Sequence, residues 1–594
     1  MKQLRTWIQL VKIWPKQLKQ VQSYGRTLCT VSSAANFTNY EDEKKNFKIN
    51  VPEYFNFAKD VIDRWAEAEK KGERGHIPAL WWVDDEDNQL KWNFRELSEK
   101  SMRVANALQH GLGLEKGDRV IVILPRQPEW WLLNIACIRT GTILIPGTTQ
   151  LTAKDIKTRL NQSHAKCLIT DERTSHVVDQ IAKECPDLEA KVVVMENQEN
   201  EVSTRTGWKD FHSLCAQSNK THECLDTKSS DPMTIFFTSG TTALPKMCEH
   251  SHASYGMGHV ITGRFWLDLC PTDIHWNNSD TGWAKSAWSN VFAPWIQGAC
   301  VFVHHTPKFD VKKTLNTLQT YPITTFCTAP TAYRLLVQSD LKKYKFHSLR
   351  HAISAGEPLN PEVTDEWYEG TGQVIREGYG QSETCLLVGS FRCIENKPGS
   401  MGKPSPWFDT TIVDDSGREV GPNTEGDIAV KVKPNRPIGL FTKYVDDPEM
   451  TSSAHKGDYY ITGDRAYRDD DGYFWFVGRS DDVINSAGYR IGPFEVENAL
   501  IEHPSVAESA VVSSPDKQRG EVVKAFVILS EQYKNADKDE LRKGLQEHVK
   551  QVTAPYKYPR KIDFVDELPK TVSGKIRRVE LRNQEWHTGS ENIF

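Results

Sequence analysis

Between residues 118 and 170 short apolar runs alternate with longer stretches of helical length. Arg119–Leu124 is apolar at every position after the first and too short for a helix, which predicts a strand buried on both faces. Glu129–Thr140 predicts a helix, Thr142–Pro146 a second strand, 156–163 a second helix and Lys166–Ile169 a third strand. Runs of the same kind return at Met233–Phe237, Ile323–Cys327 and Arg350–Ser354. Apolar strands separated by helices predict an α/β fold, with mostly parallel sheets flanked by helices on both faces.

The texture changes after about residue 385. Thr411–Val413 and Ile428–Val432 alternate with turn clusters at Asp415-Ser416-Gly417 and Gly421-Pro422-Asn423, which predicts an antiparallel, β-barrel-like subdomain. From near Ser480 the pattern becomes helix Pro493–Glu502, strands Ala507–Ser513 and Val522–Leu529, helix Asp537–Val549 and strand Arg560–Val565. This reads as a small α+β C-terminal domain of about 110 residues, within the usual domain size. The expected division is a leader over 1–40, a large N-terminal domain over 41–479 and a C-terminal domain over 480–594. Neither internal repeats nor low-complexity tracts interrupt it.

Composition narrows the partners. With 38% apolar and 26% charged residues the chain reads as globular rather than disordered, and 594 residues exceed what one core holds. A net charge of −5 leaves no excess of cations to neutralise a nucleic-acid backbone, so small molecules are the expected partners. The twelve cysteines include no C-x-x-C pair and none follows Cys393, which argues against a disulfide framework or a zinc ribbon. The first forty residues stand apart: Lys2, Arg5, Lys12, Lys16, Lys19 and Arg26 occur with no acidic residue before Glu41. Leu4, Trp7, Ile8, Val11 and Trp14 share a helical face until Pro15, and Thr27, Thr30, Ser32 and Ser33 follow. That pattern is expected of a mitochondrial transit peptide, with a surface-lying membrane helix as the alternative. Without it, 68 basic residues face 79 acidic ones, a net charge of −11. No window approaches the roughly 18 uninterrupted apolar residues of a membrane span.

Candidate chemistry begins directly after the strand that ends at Phe237. Thr238-Ser239-Gly240-Thr241-Thr242-Ala243-Leu244-Pro245-Lys246 is a run of small and hydroxylated residues closed by Pro-Lys. Small residues let backbone N–H groups approach phosphate oxygens, and Lys246 adds positive charge. Taken alone, its alternative reading is a Ser/Thr-rich surface turn. It lacks the Gly-Lys-Ser/Thr ending of a Walker loop, which sets aside that class of GTPase and kinase.

The run resembles the phosphate loop of the adenylate-forming superfamily, and four further segments resemble that family's signatures in order. In Gly378-Tyr379-Gly380-Gln381-Ser382-Glu383-Thr384 the resemblance implies that Tyr379 stacks on adenine, Ser382 meets the α-phosphate and the acyl substrate, and Glu383 holds Mg2+, with Glu377, Gly378, Gly380 and Gln381 also at the nucleotide. Tyr459–Asp464 implies Asp464 on the ribose, and Gly478–Asp482 implies Arg479 on phosphate with Asp481 as the hinge. Leu568–Ile576 implies Lys575 as the catalytic lysine. Alone, Asp464 reads as a turn residue and Lys575 as part of a solvated basic cluster with Lys570, Arg577 and Arg578. Attack of a carboxylate on an α-phosphorus sets anion against anion, so fixed cations are what the chemistry needs.

Pro128–Trp131, Ser279–Trp283, Tyr489–Pro493 and Ala554–Arg560 further resemble the mitochondrial medium-chain acyl-CoA synthetases. The implied reaction takes a carboxylic acid, ATP and coenzyme A to acyl-CoA through an acyl-adenylate in the mitochondrial matrix, as a monomer or dimer. Implied coenzyme A contacts are Gln150, Ala487, Gly488, Tyr489, Arg519, Tyr558, Pro559 and Arg560. Trp283 and Arg490 are implied on the acyl side, Trp283 being read equally as a core tryptophan. The small domain is implied to swing about Asp481, presenting Lys575 in one arrangement and the coenzyme A face in the other. One residue departs from the pattern: Ala243 stands where family loops usually carry Gly. A methyl there costs about 1 kcal/mol or more if φ must be positive. The rival reading, a catalytically weakened paralogue binding nucleotide or acyl-CoA as a sensor or scaffold, rests on it. Luciferase-like oxidation and carrier-protein loading rank below both.

Overall fold

The computed structural model describes residues 36–195, 206–238, 245–480, 482–486, 489–516, 519–553, 555–570 and 575–590. Residues 1–35, most of the expected leader, lie outside them. The folded chain is already packed by the leader's expected end: Phe37 is 1% exposed. Its ring lies 4.8 Å from Phe265 and 5.2 Å from Phe391. No helix among the described residues is long and apolar enough to cross a membrane.

The chain folds as two compact units. The first comprises residues up to Pro398 together with Gly402–Phe408 and Asn435–Ser453. It contains two large sheets. In the eight-stranded one, Arg119–Ile123 pairs in parallel with both Ile143–Gly147 and Cys167–Asp171, and its last four residues are buried. That is why this sequence shows no polar alternation. Pro232–Thr238 continues the sheet in parallel beside Ile143–Gly147, then Lys246–Ser251 returns antiparallel and carries Lys443–Tyr444 on its other edge. In the nine-stranded sheet, Ile375–Tyr379, His351–Ala355, Thr325–Thr328, Ile274–Asn277, Cys300–His304 and Leu80–Val83 run parallel, with antiparallel strands at both edges. Helix Pro128–Thr140 opens with Pro at its first turn and closes on Gly141 at φ 70°, the asymmetry that such ends favour. Nearly all its side chains are buried, Trp130 and Trp131 among them, so it carries no polar face.

The second unit comprises Gly399–Met401, Asp409–Pro434 and the residues from Ala454 onward. One of its sheets is the antiparallel set Thr410–Val413, Gly426–Lys431, Tyr459–Arg468 and His455–Lys456, with Phe474–Arg479 also paired to Tyr459–Arg468. It is antiparallel as expected, though among the described residues no pairing closes it into a full barrel. The other sheet orders Tyr489–Ile491, Ile484–Ser486, Gly520–Leu529 and Val506–Asp516, with Lys561–Phe564 parallel to Gly520–Leu529. Helices Pro493–Ile501 and Lys538–Val552 bury Val496, Leu500, Leu545 and Val549 in a core with Val511, Val523 and Ile562. By packing, the antiparallel strands group with the C-terminal residues, so the compact units part elsewhere than at 479/480.

Candidate functional site

In the first unit, two segments of interest leave the carboxyl ends of strands in the two large sheets, Pro232–Thr238 and Ile375–Tyr379, each parallel to a neighbour in its own sheet; open α/β sheets bind ligands at such ends. Thr238 ends the strand Pro232–Thr238 and sits in register with Lys246 on the returning strand. Ser239, Gly240, Thr241, Thr242, Ala243 and Leu244 lie outside the described residues. The Thr238 hydroxyl is buried with no hydrogen-bond partner among the described residues. A buried hydroxyl of this kind calls for a partner. The Pro245 carbonyl accepts from Gln162 Nε2 at 2.8 Å.

The second segment follows Ile375–Tyr379. Glycine is required at two of its positions by packing: a Cβ on Gly378 would lie 2.4 Å from Trp266, and one on Gly380 would lie 2.4 Å from Trp288 and 2.7 Å from the Cys385 carbonyl oxygen. Between them Tyr379 is half-buried at the strand end. Gln381 and Thr384 close a turn, with Gln381 N donating to Thr384 Oγ1 at 2.9 Å. Glu377 Oε2 accepts from Leu359 N at 3.0 Å, and burial pushes its carboxyl up to about 8.

Strand Lys246–Ser251 and the segment 440–445 hold the Ser382–Glu383 corner. His250 Nε2 donates to the Ser382 carbonyl at 2.7 Å, and Cys248 Sγ lies 3.5 Å from the same oxygen. Burial lowers the His250 imidazole to about 4, so the ring is neutral and its Nε2–H tautomer serves that carbonyl. Phe441 N donates to the Glu383 carbonyl at 2.7 Å, and Tyr444 Oη donates to Glu383 Oε1 at 2.8 Å. Lys246 Nζ stands 5.4 Å from the centre of the Tyr444 ring. Neither His250 nor Tyr444 belongs to a recognised run in the sequence; strand pairing brings both to the corner.

Trp283 is half-buried and precedes the helical turn Ala284–Ala287, where Lys285 Nζ donates to the Ala355 carbonyl at 2.7 Å. Gln150 is exposed, its backbone N–H donating to Thr148 Oγ1 at 3.3 Å.

In the second unit, strand register places Asp464 opposite Arg479 although they stand fifteen residues apart. Arg479 Nη1 lies 3.2 Å from Asp464 Oδ1; Asp464 is buried and the arginine is half-exposed. Ser480 N donates to the Gly463 carbonyl at 2.9 Å and Ser480 Oγ to Asp427 Oδ1 at 3.0 Å. Asp481, Ala487 and Gly488 lie outside the described residues, and Arg490 is described only by its backbone, paired with Asn485.

Tyr489 is 53% exposed and stacks on Tyr556 at 4.4 Å and 19°, an aromatic surface that the sequence pattern did not single out as a pair. Tyr558 lies beneath Lys550 and Arg560, at 4.5 and 4.9 Å, while Pro559 is buried and Arg519 and Arg560 are exposed. Lys575 is exposed, just before the bridge between Lys570 and Ile576. Its basic neighbours are paired: Lys570 with Glu508 at 2.8 Å, Arg577 with Glu580 at 2.5 Å and Arg578 with Glu497 at 2.6 Å.

Among the described residues no group of three or more His, Cys, Asp and Glu is placed to hold a metal. A lone carboxylate such as Glu383 suits Mg2+ arriving on substrate phosphates, because that ion keeps waters and takes one or two protein carboxylates.

Comparison with known proteins shows the family of the chain. The AMP-binding enzyme family matches residues 65–441, and the AMP-binding enzyme C-terminal domain matches 495–575. The chain is 58% identical over 553 residues to a mitochondrial acyl-coenzyme A synthetase, ACSM3, of Mus musculus, covering 93% of this chain and 94% of that one. Among solved structures, an acyl-CoA synthetase of Brucella canis is 33% identical at a TM-score of 0.70, covering 94% of this chain and 100% of the other. The anthranilate CoA ligase AuaEII, solved with anthranoyl-AMP, is 28% identical at a TM-score of 0.80, covering 91% and 99%.

Proposed function

Given that this chain belongs to the AMP-binding enzyme family as an ATP-dependent acyl-CoA synthetase of the adenylate-forming superfamily, we propose that it activates a medium-chain fatty acid in the mitochondrial matrix. The acid carboxylate attacks the α-phosphorus of ATP and pyrophosphate leaves; the coenzyme A thiol then attacks the acyl carbon and AMP leaves. The observation that carries this reading is the corner of one unit at which Lys246 stands over the Tyr444 ring and Tyr444 Oη donates to Glu383, with Thr238 in register with Lys246.

Lys246 and the run 238–246 take the triphosphate tail. Tyr379 stacks on adenine beside Glu377, Gly378, Gly380 and Gln381, Ser382 meets the α-phosphate and the acid, and Asp464 takes the ribose. Arg479 and Lys575 offset the negative charge that builds up as two anions meet, where preorganised cations are worth most. Glu383 would hold Mg2+, which would supply further charge neutralisation on the phosphates. Trp283 and Arg490 serve the acyl side. Gln150, Ala487, Gly488, Tyr489, Arg519, Tyr558, Pro559 and Arg560 serve coenzyme A. Residues 480–594 swing about Asp481 between the two half-reactions, a motion distinct from the packing that defines the compact units. The leader over 1–40 directs import, and the partners are small molecules.

Pyrophosphate release on mixing the purified protein with ATP and acids from acetate to palmitate, with benzoate included, tests the reading. A maximum near octanoate is expected. Ala243 supports a second reading, a weakened paralogue that binds nucleotide or acyl-CoA as a sensor or scaffold. Retained AMP binding with no pyrophosphate release from any acid would establish that reading instead.

A further inference from the structure

We propose that Tyr444 is a positioning residue of the nucleotide site, holding the Glu383 carboxylate by its hydroxyl while its ring keeps Lys246 from collapsing onto that carboxylate. The inference rests on the roles given above to Glu383 and Lys246.

The segment 440–445 grips Glu383 at two points, through Phe441 N on the main-chain carbonyl and Tyr444 Oη on Oε1. Two attachments to one residue fix both its backbone and its carboxylate plane. Oε2 has no hydrogen-bond partner among the described residues and is the oxygen left to face a cation. Tyr444 is itself well anchored. It is 7% exposed, its N–H donates to Thr451 Oγ1 at 3.0 Å, and the next residue, Val445, donates to the Met247 carbonyl at 2.8 Å. Phe441 packs on its ring at 4.8 Å.

The chemistry of the donor matters. A phenol satisfies one carboxylate oxygen without cancelling the carboxylate's charge, whereas a lysine or arginine there would neutralise the group before a cation arrived. Lys246 is a candidate for that quenching, since it starts the strand that pairs with Lys443–Tyr444. Its Nζ sits 5.4 Å from the ring centre of Tyr444, and among the described residues no ion pair joins Lys246 to Glu383. The aromatic face holds the ammonium by a cation–π contact, so opposite charges stay apart until phosphate and metal come between them.

Two substitutions separate hydroxyl from ring. Tyr444→Phe keeps the ring, and should weaken the Mg2+ dependence of ATP binding about tenfold, as loss of an outer-shell partner does, with metal-free ATP binding unchanged. Tyr444→Leu removes the ring as well and should also weaken metal-free ATP binding severalfold. Both are read by calorimetric ATP titrations of the full-length protein without acid, with and without Mg2+. Glu383→Gln serves as the reference, and the double variant Tyr444→Phe with Glu383→Gln should bind no more weakly than Glu383→Gln alone. Additive losses in the double variant would mean a merely structural tyrosine and overturn the proposal. So would wild-type Mg2+ dependence in Tyr444→Phe beside a clear loss in Glu383→Gln. Should Glu383→Gln itself keep wild-type Mg2+ dependence, the role given to Glu383 falls, and this inference with it.

Discussion

Replacing Gly378 by Ala distinguishes a glycine needed by the fold from one needed by a ligand. The added methyl would lie 2.4 and 2.5 Å from two atoms of the Trp266 indole and 2.9 Å from Leu386 Cδ1. Trp266 is 1% exposed, and its Nε1 donates to the Glu377 carbonyl at 3.0 Å, on the residue next to the new side chain. The ring therefore cannot withdraw without losing that bond. Overpacking of a filled core costs about 1–3 kcal/mol and loss of a hydrogen bond roughly 1 more. Gly378→Ala should thus destabilise by about 2–4 kcal/mol, a large share of a typical folding free energy. Urea unfolding followed by far-UV circular dichroism measures it. The same substitution in a Trp266→Phe background should cost under about 1 kcal/mol, since the smaller ring leaves room for the methyl and the two sites are in contact. ATP affinity of the folded Gly378→Ala protein should stay within a few-fold of wild type. An unchanged urea midpoint together with a large loss of ATP affinity would refute the packing account and mean that the nucleotide, not Trp266, excludes a side chain at this position.

Lys575→Ala should slow pyrophosphate release by about a hundredfold or more, while thioester formation from supplied acyl-AMP stays within a few-fold. Equal loss in both half-reactions, measured side by side, argues against a lysine used in only one of two arrangements. Ala243→Gly should lower the KM for ATP if the methyl obstructs the phosphate loop; an unaltered KM means that the loop accommodates it. Glu377 bears on pH dependence. Its folded carboxyl is pushed up to about 8 by burial, from a reference value of 4.5, so between these values the folded chain holds more protons than the unfolded one. The stability it contributes is present below pH 4.5 and is lost as pH rises towards 8, by at most about 1.4 kcal/mol per pH unit. Glu377→Gln keeps an acceptor for Leu359 N–H, so its melting temperature should gain on wild type across that window and level off above it. A difference that does not vary with pH would mean that the carboxyl is ionised in the folded chain.

Several strands of the first unit were legible because strands buried on both faces leave continuous apolar runs, as at Arg119–Ile123 and Pro232–Thr238, whereas Leu80–Val83, Ile274–Asn277 and Cys300–His304 emerged only with the fold. The signature segments were legible because each is contiguous: a loop that approaches phosphate needs its small residues side by side. Asp464 and Arg479 were both recognised, but their ion pair depends on the antiparallel register of Tyr459–Arg468 with Phe474–Arg479. His250 and Tyr444 carried no signal. A histidine in a strand and a tyrosine near a turn are ordinary neighbours in sequence, and only strand pairing brings them to the Ser382–Glu383 corner.

The chain alone thus determined the order of its elements, the family signatures and the reaction they imply, since each is written in adjacent residues. Tertiary structure decided why Gly378 and Gly380 carry no side chain, which neutral groups hold the Ser382–Glu383 turn, and that Lys246 lies over the Tyr444 ring. Each of these depends on distances between segments tens to hundreds of residues apart, set by sheet register and core packing rather than by local pattern.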